Sequence, residues 1–304
     1  MSSTLGQIIE HVADAYSPNT IRAYRADFEE FIAFCHQINE TALPATPETT
    51  AAFIDSVTAN SRSSASIRRK LVAIAAIHRL SRNGDPTKDA EVHLAMRKMH
   101  RKLGRVCDQA YGITTETLEK MMQPTGDDLR GKRDRALLLL AYATMRRRSE
   151  LVSLQIHDIT PTSSGAAILL RRSKTDQEGS GTWLHVTGNA YAAITDWLQA
   201  AGISDGYLLR GVRTNGELTE QLCGGQIGRI YKRLAICAGL PTKTVEQISG
   251  HSLRVGAAQD LLRHGASLPQ IMVKGGWSKV DTVMRYVEKA TIDPMSTWGG
   301  GLHT

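Results

Sequence analysis

Cysteine is scarce and scattered in this chain: Cys35, Cys107, Cys223 and Cys237 are the only four, and no two stand in a C-x-x-C pair. That distribution argues against a disulfide framework and a cysteine-built zinc site, and for a reducing compartment. Long apolar runs are missing too. The longest, "ALLLLAYATM" at 136–145, falls far short of the roughly 20 residues a bilayer-spanning helix requires, so no membrane partner is expected. The opening "MSSTLGQIIEHVADAY" has neither a charged leader region nor a sustained apolar stretch, which argues against a secretory signal. Repeats of solenoid period and low-complexity tracts are absent. So are an Asp/Glu/His cluster at metal-ligand spacing, a P-loop glycine pattern and a Ser-His-Asp elbow. No metal or other cofactor is expected.

What remains is a folded, basic protein. Hydrophobic residues make up 41% of the 304 and charged residues 22%, enough to build one large or two ordinary domains. The net charge is +7, but its location says more than its total. Between Arg62 and Arg105 stand twelve Lys/Arg against Asp85, Asp89 and Glu91, so this segment alone exceeds the net charge of the whole chain. A basic face this concentrated suits a polyanion, because each neutralised phosphate releases condensed counterions.

Periodicity divides the chain. Residues 1–105 read as an all-helical domain. "SPNTIRAYRADFEEFIAFCHQI" opens on Ser17 with Pro18 near the first helical position, and "TPETTAAFIDSVTA" reads as a second helix. In "SSASIRRKLVAIAAIHRLSR", Ile67, Leu71, Ile74 and Ile77 make the apolar stripe, with Arg68, Lys70 and Arg79 outside it. "TKDAEVHLAMRKMHRKL" gives a fourth helix. All four phenylalanines precede residue 54, so this block has its own aromatic core. Residues 106–113, between glycines and with little periodicity, read as a linker.

From 114 to 304 the pattern is mixed. A helix runs through "KRDRALLLLAYATMRRRSELVSL", and "GAAILLRRSKTDQEGSGTWLHVT" reads as a β-hairpin with Lys174 at its rim. Further helices follow over "NAYAAITDWLQAAG", "GGQIGRIYKRLAICAGL", "LPQIMVKGG" and "SKVDTVMRYVEKA". Ser278 and Asp281 give the last of these a capping signature, and Val280, Val283 and Val287 its buried stripe. The fold class expected is mainly α, with an α+β C-terminal domain holding a small antiparallel sheet.

The chemistry-bearing residues lie in this second part. In "SGHSLRVGAA", at 249–258, His251 and Arg254 share one helix face near free backbone N–H groups, an arrangement suited to a phosphate. Arg146, Arg147 and Arg148 follow an apolar helix, and at least two must face solvent or an anion. Trp277 follows two glycines, and Tyr286 comes nine residues later. A tyrosine is seldom a nucleophile, since its ordinary pKa leaves about one part in a thousand ionised at neutral pH. Surrounding cations change that. Arginines, a lysine, a histidine, an indole and a tyrosine together supply what metal-free phosphoryl transfer needs: fixed positive charge, a nucleophile and an acid.

The run "SGHSLRVGAAQDLLRHGASLPQIMVKGGWSKVDTVMRY" resembles the C-terminal signature of the tyrosine site-specific recombinases, the phage integrase family. The family's His-x-x-Arg motif matches His251 and Arg254, its following His/Trp position matches Trp277, and its tyrosine matches Tyr286. Upstream, Arg-x-x-Glu-Leu matches Arg147 through Glu150 to Leu151, and the hairpin lysine matches Lys174. Many members carry Gly-Leu just before the first arginine, where this chain has Met145 and Arg146. Three adjacent arginines leave the choice open by one position, although the spacing to Glu150 favours Arg147. Weaker similarity runs through the N-terminal helices.

The resemblance implies a DNA recombinase that cleaves and rejoins strands through a 3′-phosphotyrosyl link and a four-way junction, without ATP or metal. Tyr286 would attack the phosphodiester, and Arg147 and Arg254 would hold its oxygens. Lys174 would protonate the leaving 5′ oxygen, His251 and Trp277 would bond the phosphate, and Glu150 would orient the site. Partners would be double-stranded DNA bearing inverted-repeat sites and three further copies of the chain, two protomers per site, in a cytoplasmic, DNA-associated setting. The two domains would clamp DNA. Arg22, Arg25, Arg68, Arg69, Lys70 and Arg79 in the first, and Gln226, Arg229 and Arg233 at i, i+3 and i+7 in the second, are the candidates for contact with it. The tail, anchored by Met295 and Trp298, would dock on a neighbouring protomer or lie back on its own domain. The competing readings are a type IB topoisomerase and a non-enzymatic DNA-binding protein.

Overall fold

A computed structural model describes residues 2–11, 14–60, 63–105, 109–173 and 181–288. Lys174, Met295 and Trp298 lie outside the described residues. The chain separates into two compact units, Met1–Asp108 and Gln109–Thr304. Among the described residues no helix is long and apolar enough to cross a membrane.

The first unit is helical: α1 (Ser2–His11), α2 (Pro18–Gln37), α3 (Pro47–Asn60), α4 (Ser64–Leu80) and α5 (Ala90–Leu103). The start of α2 follows its sequence. The Ser17 hydroxyl accepts from the Thr20 N–H at 3.2 Å, and Pro18 fills a position whose N–H has no helical partner. The phenylalanines form one cluster, with Phe31 and Phe34 both packed on Phe53 at centroid distances of 5.1 and 5.3 Å. A second cluster joins Ile54, Ile67, Leu71, Val92 and Met99 under α5. Fully burying side chains of this size contributes about 1.5–3 kcal/mol each. His78 is fully buried as a neutral ring: Nδ1 donates to the Ile74 carbonyl at 2.8 Å, and Nε2 accepts from the Ala45 N–H at 2.9 Å. Helix α1 was not read from sequence; Leu5 and Ile9, one turn apart, anchor it in the aromatic cluster.

The second unit carries α6 (Thr115–Met122), α7 (Leu129–Thr144), α8 (Arg148–Ser153), β1 (Ile159–Thr162), β2 (Gly165–Leu170), β3 (Thr182–Thr187), α9 (Gly188–Ala201), α10 (Gly224–Cys237), α11 (Thr242–Gln247), α12 (Ser252–Arg263), α13 (Leu268–Gly275) and α14 (Val280–Val287). The sheet is antiparallel in the order β1-β2-β3, with Leu169 opposite Trp183 in the expected hairpin. Strand β1 is an addition. Its "ITPT" has a largely exposed, non-alternating pattern that gives no strand signal. Helix α7 is buried nearly all round, and Trp197 of α9 closes the core beside it, its indole N–H donating to the Leu208 carbonyl at 2.9 Å.

Three expectations are corrected. The helix read through "ATMRRRSEL" is broken, because Met145 takes a left-handed conformation (φ 53°, ψ 31°) between α7 and α8. Ser278 does not cap α14; Lys279 stands at that position and makes no side-chain cap. Val280 is 47% exposed, so only Val283 and Val287 form the buried stripe.

Candidate active site

The turn at Met145 sends three consecutive guanidinium groups in different directions. Arg146 goes inward, 6% exposed, and donates from Nη2 to the Lys274 carbonyl at 2.8 Å. Arg147 points into a cavity, where its Nη1 donates to Glu150 Oε1 at 2.7 Å. Arg148 is exposed, its stem lying against Gly250 and Gly224. Glu150 is buried and also accepts the Arg147 backbone N–H at 3.0 Å, so the same carboxylate caps α8 and aims the guanidinium. A left-handed methionine costs about 1–2 kcal/mol. The strained residue is itself used, since its carbonyl accepts from Arg254 Nη1 at 2.8 Å.

His251 and Arg254 open α12 as expected, with His251 at the N-cap position. The small residues behind them have a packing reason. A Cβ on Gly256 would stand 1.9 Å from the Ile113 carbonyl oxygen, so the chain entering α6 passes directly over that glycine. Arg254 is 3% exposed. Burial and then the neighbouring Arg147 push its pKa down to about 10, opposed by Glu150, and it remains a cation at neutral pH. His251 is open to solvent on one side, which screens its neighbours. Partial burial, then Arg254, Arg148 and Arg147, still lower its pKa, favouring the neutral imidazole that accepts a proton.

Trp277 is placed by the two glycines before it. Gly276 adopts φ +66°, and a Cβ on Gly275 would fall 1.9 Å from the indole ring. The Arg254 guanidinium lies over that ring, and Tyr286 packs on it with centroids 5.7 Å apart. Tyr286 is half-buried. Arg147, His251, Arg254, Trp277 and Tyr286 line one cavity of about 420 Å³, and the exposed Lys279 joins its rim. A larger groove of about 600 Å³ between β1 and α9 is apolar and has no cation among its lining residues. The smaller cavity is the one lined by cations, Arg147, Arg254 and Lys279.

Sequence reasoning missed the inward Arg146 and a carboxylate behind the site. Asp260 Oδ2 accepts from the Thr115 N–H at 2.6 Å and the Tyr142 hydroxyl at 2.7 Å, tying α6 and α7 to α12. Burial in particular raises the Tyr142 pKa, keeping that phenol a donor. Within "GAAQDLLR" only the local pair with Arg263 is visible, because Tyr142 and Thr115 lie 118 and 145 residues away.

The DNA-contact candidates separate by environment. Arg22, Arg25 and Arg68 are exposed in the first unit, Arg22 with a hydrogen bond to Asn19. Arg69 is exposed but bonds the buried Asp27 through Nε and Nη2 at 2.7 and 2.8 Å. Lys70 corrects the expectation: it is 8% exposed and paired with Glu30, because a residue beside Leu71 on this crowded helix turns toward α2. Arg79 is exposed and paired with Asp85. On α10, Gln226 is half-buried and Arg229 exposed, while Arg233 is engaged by Asp134.

The family model of the phage integrase family matches residues 112–291, and that of its N-terminal SAM-like domain matches residues 11–82. The chain belongs to the phage integrase family, and it is a site-specific tyrosine recombinase, an enzyme that transfers DNA strands. Among its relatives, an integrase/recombinase xerD homolog of Selenomonas ruminantium is 31% identical over 285 residues, covering 90% of this chain and 82% of its own. The recombinase cre of Escherichia phage P1 is 27% identical over 290 residues, covering 90% and 84%. In fold, the chain matches XerH recombinase in a post-cleavage complex with palindromic difH DNA, with a TM-score of 0.67 at 18% identity over 97% of this chain and 82% of that one.

Proposed function

We propose that Tyr286 is the nucleophile and that the cavity around it holds a scissile DNA phosphate. The phenol oxygen attacks phosphorus, the P–O5′ bond breaks, and the strand is left joined to Tyr286 through its 3′ phosphate. His251, neutral at physiological pH, takes the phenol proton. Arg147 and Arg254 hold the non-bridging oxygens as charge develops there. Lys174, assigned by resemblance, gives its proton to the departing 5′ oxygen. The phosphotyrosyl link conserves the energy of the phosphodiester, so a 5′ hydroxyl from another strand reverses the step and completes an exchange. The single observation that supports this reading most is the shared cavity of Tyr286, Arg147 and Arg254.

The proposed substrate is double-stranded DNA with inverted-repeat sites, bound by two protomers per site and four per exchange. XerH, a neighbour in fold, is bound to a palindromic site, which is in keeping with the inverted-repeat substrate. A nicked suicide substrate tests the chemistry. Wild type should accumulate a covalent adduct that Tyr286→Phe does not form. An adduct in Tyr286→Phe would assign the nucleophile elsewhere, and relaxation of plasmid lacking any cognate site would favour a topoisomerase.

A further inference from the structure

Two carboxamides from distant parts of the chain meet on one carbonyl. Gln259 Nε2 donates to the Tyr286 main-chain oxygen at 3.1 Å, and Gln109 Nε2 donates to the same atom at 3.3 Å. They reach it from 27 and 177 residues away in sequence. Tyr286 is in the last turn of α14, where carbonyls lack partners within the helix itself. Gln259 is 6% exposed on α12, in the helix that carries Arg254. Room for its side chain comes from Gly112: a Cβ there would lie 2.3 Å from Gln259 Oε1.

We propose that Gln109 and Gln259 clamp the Tyr286 carbonyl, making Gln259 a positioning residue that fixes the height of the tyrosine ring in the cavity. The proposal rests on Tyr286 being the nucleophile. The other described contacts of this short helix are apolar and include Val283, Val287 and the ring contact with Trp277, none of which is directional in the way a hydrogen bond is. Two N–H donors converging on one oxygen fix the helix along its own axis. Because Gln259 and Arg254 share α12, the clamp sets the tyrosine against the arginine it must face.

Gln259→Glu tests this through pH. A protonated glutamic acid still donates to the carbonyl, whereas its carboxylate repels it. Tyr111, Glu116, Lys120 and Arg263 line the cleft beside Gln259, and Asp260 follows it in sequence, so the ratio of variant to wild-type single-turnover cleavage at each pH is the quantity to follow. That ratio should fall at least tenfold from pH 5.5 to pH 8.5, with DNA binding unchanged. Gln109→Ala should slow cleavage a few-fold at every pH. A flat ratio together with wild-type cleavage by Gln109→Ala would overturn the clamp. If Gln259→Glu does not fold, Gly112→Ala decides, since it displaces the carboxamide without adding charge. Slow cleavage with intact binding supports the clamp, and wild-type cleavage overturns it. Tyr286→Phe runs alongside: an adduct surviving there would overturn the nucleophile assignment, a result distinct from any of these.

Discussion

The Arg254 guanidinium sits 4.1 Å above the centre of the Trp277 indole, and that stack forms one wall of the cavity that Tyr286 enters. Arg254 is held from two sides, by the Met145 carbonyl at its edge and by the indole at its face. A guanidinium fixed in this way loses little freedom when a phosphate arrives. Trp277→Ala should therefore slow single-turnover cleavage roughly five- to thirtyfold, the equivalent of about 1–2 kcal/mol of desolvated cation–π contact. DNA affinity should change little, and a matching loss of affinity would instead make Trp277 a binding residue.

The adjacent arginines should part company under substitution. On its proposed role, Arg147→Ala removes a donor to the phosphate oxygens, and cleavage should fall about 10²- to 10³-fold. Arg146→Met removes a buried cation whose Nε has no hydrogen-bond partner among the described residues. Its thermal midpoint should stay near wild type, because replacing a desolvated charge with an apolar side chain is often neutral. Cleavage should still slow, about tenfold or more, through loss of the grip on the turn before Trp277. Equal effects in the two variants would erase the distinction drawn from the structure.

His78 makes the first unit sensitive to acid. Burial lowers its pKa below the ordinary histidine value, so the unfolded chain takes up a proton that the folded chain refuses. The stabilisation is complete above the unfolded value near ~6.5 and is lost as pH falls below it. Urea midpoints measured from pH 7.5 to pH 5 should decline, and His78→Gln should flatten that decline.

Within the basic first unit, exposure should decide which side chains meet DNA. Arg25→Ala, on the open face of α2, should weaken binding and reduce the salt slope by about 1. Lys70→Met should leave both unchanged, since Glu30 already holds that ammonium group. A changed slope for Lys70→Met would mean that the ion pair opens on DNA.

Much of this architecture is legible locally. Ser17–Pro18 announces α2, the Ile67–Leu71–Ile74–Ile77 stripe is buried as its spacing requires, and the β2–β3 hairpin pairs where alternation suggests. The constellation around Tyr286 was legible as an ordered set of motifs, none informative alone. What sequence did not disclose depends on partners far away in the chain. Apolar and arginine-rich residues read as one continuous helix across Met145, whereas the turn there is tied to the distant Arg254 through the Met145 carbonyl. Lys70 looked solvent-facing because its acidic partners sit on another helix, 40 and 43 residues earlier. Gln259 and Arg146 carry no motif, because each acts through a backbone carbonyl that any residue type could have supplied, and Asp260 is hidden because Thr115 and Tyr142 lie far back in the chain.

The cavity that receives Tyr286 is walled by arginines of the same polypeptide. On the roles proposed for them, each copy of the chain brings its own knife and its own vice. Copies disabled at Tyr286 and copies disabled at Arg254 then cannot restore one another's cutting when mixed.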